Sequence, residues 1–193
     1  MSRVITSRHA ARECAMKAVY CSAITQENIE QVIRDILEEV ALEEGIAEFF
    51  AELATSCEAH RNELTACVAT YLASGWEISR IAAVDLAILL VASEELFYWP
   101  NIPPKVSINE AVILAKEYSS PESARFINGV LGKVLSVSPK KAWNPTESTD
   151  FEEAPQVQSL EPTILEEVIE GSDEESELKK AGPWTLISRP ESP

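Results

Sequence analysis

The stretch Pro103-Pro-Lys-Val-Ser-Ile-Asn-Glu-Ala-Val-Ile-Leu-Ala-Lys-Glu-Tyr-Ser-Ser-Pro-Glu-Ser-Ala-Arg-Phe-Ile-Asn-Gly-Val-Leu131 decides the fold class of this 193-residue chain. Ser107-Ile-Asn-Glu110 has capping-box spacing, in which a hydroxyl and a carboxylate each take up a free backbone N–H, so a helix is expected to start there. Ile108, Ala111, Val112 and Ala115 form its apolar stripe. Ser120-Pro121-Glu122 predicts a second start: a cap residue, a proline whose missing N–H is harmless in the first turn, and a carboxylate near the positive helix end. Phe126, Ile127, Val130, Leu131 and Val134 line that last helix. Gly129 lies inside it at a cost of about 1 kcal/mol relative to alanine, and a close helix–helix approach is the expected reason.

Upstream, helical periodicity dominates from Arg8. Thr25 is the expected cap of a second helix, whose stripe is Ile29, Val32, Ile33, Ile36, Leu37 and Val40, with Glu30, Arg34 and Glu38 on a solvated face. Gly45 suits its stop. A third region, one helix or two, carries Ile46, Phe49, Phe50, Leu53, Cys57, Leu64, Cys67, Val68 and Tyr71, and Gly75 ends it. The next helix, about Ile78 to Phe97, is apolar around almost its whole circumference, as befits the centre of a bundle or a partner face. Pro100, Pro103 and Pro104 then make a turn. No useful strand pattern appears, so the fold class is all-α.

Residues 1–137 hold 11 basic and 19 acidic residues, and residues 138–193 hold 5 basic and 13 acidic, so each part carries −8 and the acidity is concentrated in the shorter one. Seven of the eleven prolines fall in that tail, and its Pro/Ser/Glu-rich composition predicts disorder. Ile164, Leu165, Val168 and Ile169 are the exception, a short amphipathic segment expected to fold only on a partner. The two-part division is therefore 1–137, a helical domain, and 138–193, a disordered acidic tail.

Several function classes drop out. No apolar run spans a membrane, and the N-terminus lacks the apolar core of a secretory signal, so the expected address is cytoplasmic. Cys14, Cys21, Cys57 and Cys67 form no closely paired ligand set, so no metal is expected and they read as small apolar residues in a reducing compartment. There is no phosphate-cradling loop, dinucleotide fingerprint or nucleophile elbow. Glu94 and Glu95, adjacent on a helix, point in different directions and read as surface or interface charges. Neither a catalytic residue nor a cofactor is expected. The first helix is more suggestive. Arg8 and Arg12 lie one turn apart beside His9, and Tyr20 lies three turns from His9 on the same side. Basic groups with an aromatic on one helix hold phosphates and stack a base, although solvated charge is the commoner meaning of such arginines.

These residues together resemble a known family. Pro104-Lys-Val-Ser-Ile-Asn-Glu-Ala-Val-Ile-Leu-Ala-Lys116, followed by Ser123-Ala-Arg-Phe-Ile-Asn-Gly-Val-Leu131, looks like the signature of the NusB family of transcription antitermination factors. Ala11-Arg-Glu-Cys-Ala-Met-Lys-Ala-Val-Tyr20 resembles the family's first helix, and Ala83-Val-Asp-Leu-Ala-Ile-Leu89 with Glu95-Leu96 its central one. The resemblance implies a bundle of about seven helices in two subdomains. It implies binding of single-stranded boxA RNA together with the small-subunit ribosomal protein that acts as NusE, within the RNA polymerase antitermination complex that reads through terminators in ribosomal RNA operons. By resemblance the RNA contacts are Arg8, His9, Arg12, Tyr20, Tyr71, Glu122, Arg125 and Phe126. Asp85 and, more weakly, Glu77 fall at the ribosomal-protein face; a carboxylate on an apolar stripe needs pairing, which fits Asp85 to that role.

The chain departs from the family pattern in three places. The arginine run is thinned to Arg8-His-Ala-Ala-Arg12, Leu86 and Leu90 stand where relatives often have arginines, and the acidic tail has no counterpart. The thinned run keeps a second reading open, a protein-interaction module that holds the ribosomal-protein face with weak or lost RNA binding. An RNA methyltransferase is excluded, because the Cys-free tail offers no catalytic domain.

Overall fold

A computed structural model describes residues 4–143, apart from 73, 74 and 76. Seven α-helices are present among them: α1 (Arg8–Thr25), α2 (Ile29–Glu39), α3 (Glu44–Ala59), α4 (Arg61–Thr70), α5 (Ala83–Tyr98), α6 (Pro104–Tyr118) and α7 (Pro121–Val137). Short 3-10 turns occupy Ile78–Arg80 and Pro139–Ala142. The described residues hold no strand; one isolated parallel bridge pairs Ile5 with Leu42 and ties the segment before α1 to the α2–α3 connection.

Helices α1–α3 pack together as one subdomain and α4–α7 as another, and α5 touches members of both. The sequence explains that central place. Ile88, Leu89, Leu90 and Leu96 are all but fully buried, and a helix with no polar side must be surrounded. Leu90 is thus a core residue, while Leu86 is half-buried against the core.

Several helix ends differ from the expectations, each for a local reason. Asn28, not Thr25, caps α2, its side chain accepting from the Glu30 N–H at 2.8 Å. Thr25 is the last residue of α1, and its hydroxyl donates back to the Cys21 carbonyl. Gly45 stops nothing; it lies in the first turn of α3. The third region is two helices, broken at His60, and α4 ends at Thr70, before Gly75. The helix expected from Ile78 begins as a 3-10 turn and becomes α5 only at Ala83. Helix α6 starts at Pro104 rather than near Ser107, because proline at the first position is already set for a helix. Ser107 is consequently buried inside α6, its hydroxyl without a hydrogen-bond partner among the described residues. The Ser120 start of α7 is as expected, with Ser120 Oγ accepting from the Ser123 N–H at 3.0 Å. Gly129 is exposed, and a Cβ built there meets nothing within 4 Å, so close packing does not account for it.

Glu94 and Glu95 are not surface charges. Both are buried, 0% and 1% exposed. Glu95 accepts from Arg12 Nε at 2.7 Å, so α1 and α5 are joined by a buried ion pair. Glu94 accepts from the Ser56 hydroxyl and sits 3.0 Å from His60 Nδ1. The ordered elements also pass Val137, the expected domain end. Lys140 is buried in the last turn, donating to the backbone carbonyls of Glu95 and Ile102, both at 2.6 Å. The expected disordered tail, apart from this turn, and the segment Ile164–Ile169 lie outside the described residues.

Candidate nucleic-acid interface

The side chains named for RNA fall on three parts of the fold. At the N-terminal end of α1, Arg8 is exposed with its guanidinium 5.4 Å from the Phe49 ring centroid. His9 Nδ1 is 2.7 Å from Glu110 Oε2 on α6, and its Nε2 is 3.7 Å from Glu117 Oε2. Arg12 is different. Its guanidinium also lies 5.4 Å from the Phe49 ring centroid and is committed to Glu95. At 5% exposure Arg12 offers almost nothing to a phosphate, whereas Tyr20, on the same helix, is 37% exposed.

Toward the C-terminal half of α1 the structure adds two residues that the sequence reading missed. Lys17 Nζ lies 5.1 Å from the Tyr118 ring centroid, a cation–π arrangement. Glu13 accepts from Lys17 Nζ at 2.5 Å and from the Tyr118 hydroxyl. Burial pulls the Lys17 ammonium down, but the hydrogen bonds and charges of Glu13 and Tyr118 outweigh it and hold Lys17 above the ordinary lysine value. Tyr118 is the final residue of α6, so this cluster leads directly into Ser119, Ser120 and the first turn of α7. Lys17 and Tyr20 share one face of α1 at three-residue spacing, which was the available signal. Tyr118 carried none, because its approach to α1 spans about a hundred residues of chain.

In the first turns of α7, Glu122 and Arg125 are both about three-quarters exposed and pair at 3.1 Å. Phe126 is half-buried against the core. Tyr71, just past α4, is also half-buried, and its carbonyl accepts from Lys133 of α7 at 3.3 Å. Arg8, Lys17, Tyr20 and Arg125 thus supply partly or fully exposed cations and a ring, while Tyr71 and Phe126 are half-buried against the core.

The two residues named for the ribosomal protein also separate. Glu77 is exposed. Asp85 is 6% exposed, in the first turn of α5. Its Oδ2 accepts from the Ser123 hydroxyl at 2.8 Å, and its Oδ1 has no hydrogen-bond partner among the described residues. The positive end of α5 favours a carboxylate there, so the pairing that the sequence argument demanded is met inside the chain at one oxygen only, which joins α5 to the start of α7.

Cys57 is buried, and burial pushes its thiol up, as expected of an inert core cysteine. Among the described residues, no group of three His, Cys, Asp or Glu side chains is placed to hold a metal ion. No described helix is long and apolar enough to cross a membrane.

Comparison with known proteins adds the following. The NusB family model matches residues 9–136. The transcription antitermination protein NusB of Acetivibrio thermocellus is 42% identical over 130 residues, covering 67% of this chain and 89% of that protein. Its counterpart in Desulfitobacterium hafniense is 37% identical over 137 residues, covering 70% and 92%. Among solved structures, T. maritima NusB aligns with a TM-score of 0.66 at 26% identity, over 73% of this chain and 97% of that one. A chain in the crystal structure of antitermination factors NusB and NusE in complex with dsRNA aligns at 0.63 with 23% identity, over 67% and 96%, a likeness of fold. The Lys140 turn lies beyond the residues matched by the family model.

Proposed function

The chain belongs to the NusB family of transcription antitermination proteins, and on that premise we propose that it binds boxA-type single-stranded RNA together with the ribosomal protein acting as NusE. The mechanism is assembly rather than catalysis. The heterodimer holds nascent RNA to the polymerase antitermination complex in the cytoplasm, and read-through of ribosomal RNA operons follows.

The observation that carries the reading is the Lys17–Tyr118 contact, which draws the exposed face of α1 toward the start of α7. Lys17, Tyr20 and Arg125 then serve one strand: cations at the phosphates, a ring beneath a base. Arg8 and His9 extend the cationic side toward the N-terminus. Arg12 acts from within, holding α1 on α5. Glu122 orients Arg125 through their ion pair. Glu77 is the exposed carboxylate for the ribosomal protein, and Asp85 supports that face by fixing Ser123.

One observation favours the second reading. With Arg12 buried, the thinned arginine run loses another cation, as a module that kept its protein partner and relinquished RNA would. Fluorescence anisotropy with boxA and scrambled RNA, with and without the ribosomal protein, separates the two. Preferential binding to boxA, strengthened by the ribosomal protein, supports the antitermination reading. Equal, salt-sensitive binding to both RNAs, or binding to neither, supports the interaction module.

A further inference from the structure

A cleft of about 690 Å³ opens between α3 and the turn that follows α5, walled by Glu52, Thr55, Ser56, Tyr98, Trp99 and Asn101. It uses none of the side chains assigned above to RNA or to the ribosomal protein. Its aromatic wall is braced from behind. His60 stacks on Tyr98 with centroids 3.9 Å apart, and Trp99 meets Phe49 edge to face at 5.2 Å. These contacts hold two rings in place before any ligand arrives, which lowers the ordering cost of binding.

The charge of the cleft has one sign. Helix α3 contains no lysine or arginine. Its Glu44, Glu48 and Glu52 are exposed at four-residue spacing, so they share one face. None of the three has an ion-pair partner among the described residues. Buried Glu94 lies behind Ser56 and accepts from its hydroxyl. The Tyr98 hydroxyl is pushed up to about 12, by burial and then by Glu63 and Glu94, so the anionic field reaches the ring. The nearby arginines are engaged elsewhere, Arg8 over Phe49 and Arg12 with Glu95, and the His60 ring is turned to Glu94.

Aromatic faces beside unpaired carboxylates attract a cation carried on an apolar stem. They repel a phosphate backbone. We infer that this cleft docks an arginine- or lysine-bearing segment of another protein, one cationic side chain lying across Tyr98 and Trp99 with its charge at Glu52. The chain thereby has a third contact face, acidic where the RNA face is basic, suited to a basic nucleic-acid-binding protein in the same assembly.

The test uses the full chain, 15N-labelled and titrated with a blocked hexapeptide of alternating arginine and glycine. The same peptide with citrulline for arginine supplies the uncharged control. The expected amide shifts cluster at 51–59 and 98–101 and are absent with citrulline. Affinity falls at least about fivefold in Tyr98→Ala, the scale of a lost cation–π contact, and by a similar factor in Glu52→Lys. It stays within about twofold in Glu30→Lys, an exposed carboxylate on α2 and a control for net charge. If Tyr98→Ala loses its fold by circular dichroism, the exposed Glu52→Lys variant decides the matter. Shifts scattered over other acidic regions, or equal losses in Glu52→Lys and Glu30→Lys, overturn the inference. Perturbation of the same amides by single-stranded RNA overturns it too, by giving the cleft to RNA.

Discussion

The two halves of α1 carry similar side chains and put them to different uses. In the first half, Arg12 is consumed by the core, paired with buried Glu95, while Arg8 rests on Phe49 and His9 on Glu110. In the second half, Lys17 and Tyr20 stay near solvent, and the one long-range partner, Tyr118, is itself partly exposed. The difference follows from what each half packs against. The first half reaches the end of α5 where two glutamates are buried, and a buried carboxylate requires a cation or a donor. The second half meets the end of α6 near the surface, where Lys17, Glu13 and Tyr118 satisfy one another without entering the core. A run of basic residues therefore tells little about binding until each cation's partner is known. In this chain the exposed cation and ring on α1, Lys17 and Tyr20, sit further along the helix than the arginines alone suggest.

The largest expected effect tests the core half. Arg12→Ala leaves Glu95 charged and buried without its partner, a defect of about 3–5 kcal/mol. Urea denaturation of the full chain reads it directly. Arg12→Met combined with Glu95→Leu removes both charges and recovers most of the loss. If Arg12→Ala costs less than about 1 kcal/mol while RNA affinity collapses, the assignment of Arg12 to the core is wrong.

The exposed half has the opposite signature. Tyr20→Ala is expected to lower boxA affinity by about 1–3 kcal/mol, the worth of a stacked base, with the urea midpoint nearly unchanged. Anisotropy titrations at fixed salt measure the first quantity. A large stability loss with unaltered RNA affinity would place Tyr20 with Arg12 as a structural residue.

The same contrast explains what was legible in advance. The helical elements, the central place of α5 and the α7 start could be read because periodicity and capping are local, while the count of about seven came from the family resemblance, the break at His60 having no clear local signal. The Ser120-Pro121-Glu122 signal acts within one turn, and it held. Ser107-Ile-Asn-Glu110 has valid capping-box spacing but loses to Pro104, three residues earlier, whose ring favours the first helical position. The burial of Glu94 and Glu95 was beyond reach: their partners Arg12, Ser56, His60 and Lys140 lie between 34 and 83 residues away in the chain, counting side-chain and carbonyl contacts alike. Tyr118 was missed for the same reason, whereas Lys17 carried a local signal in its spacing from Tyr20. Local signals place the elements, whereas the fate of a charged side chain depends on which element arrives opposite it.

A smaller effect separates Lys140 from the exposed cations. Burial pulls its ammonium down to about 8, against the opposite pull of Glu95. The unfolded chain holds that proton up to about pH 10.4. The cost of burying the charge is therefore fully present below about pH 8 and is relieved as pH rises toward the unfolded value. The stability of the wild-type chain minus that of Lys140→Met should rise by about 2 kcal/mol between pH 8 and 10. Subtraction removes the contribution of Cys57, whose raised value acts in the other direction in both chains. A flat difference means that Lys140 keeps its proton in the folded chain throughout this range.

The smallest effect is the most specific to the arm. Three cations at phosphates on a single strand, Arg8, Lys17 and Arg125, give a slope of log affinity against log salt near −2, at about 0.7 for each phosphate. Lys17→Gln should bring the slope to about −1.4 and reduce affinity only a few-fold. Tyr20→Ala should leave the slope where it was, since a stacked base releases no counterion. Lys17 enters the comparison already paired with Glu13, so it must leave that carboxylate, or share its protons, to meet a phosphate. Glu13→Gln frees it, and the slope should then stay near −2 while affinity rises. If Lys17→Gln leaves the slope at about −2 and Glu13→Gln does not raise affinity, Lys17 belongs to the α1–α6 seam alone, and the exposed half of α1 meets RNA through Tyr20 without it.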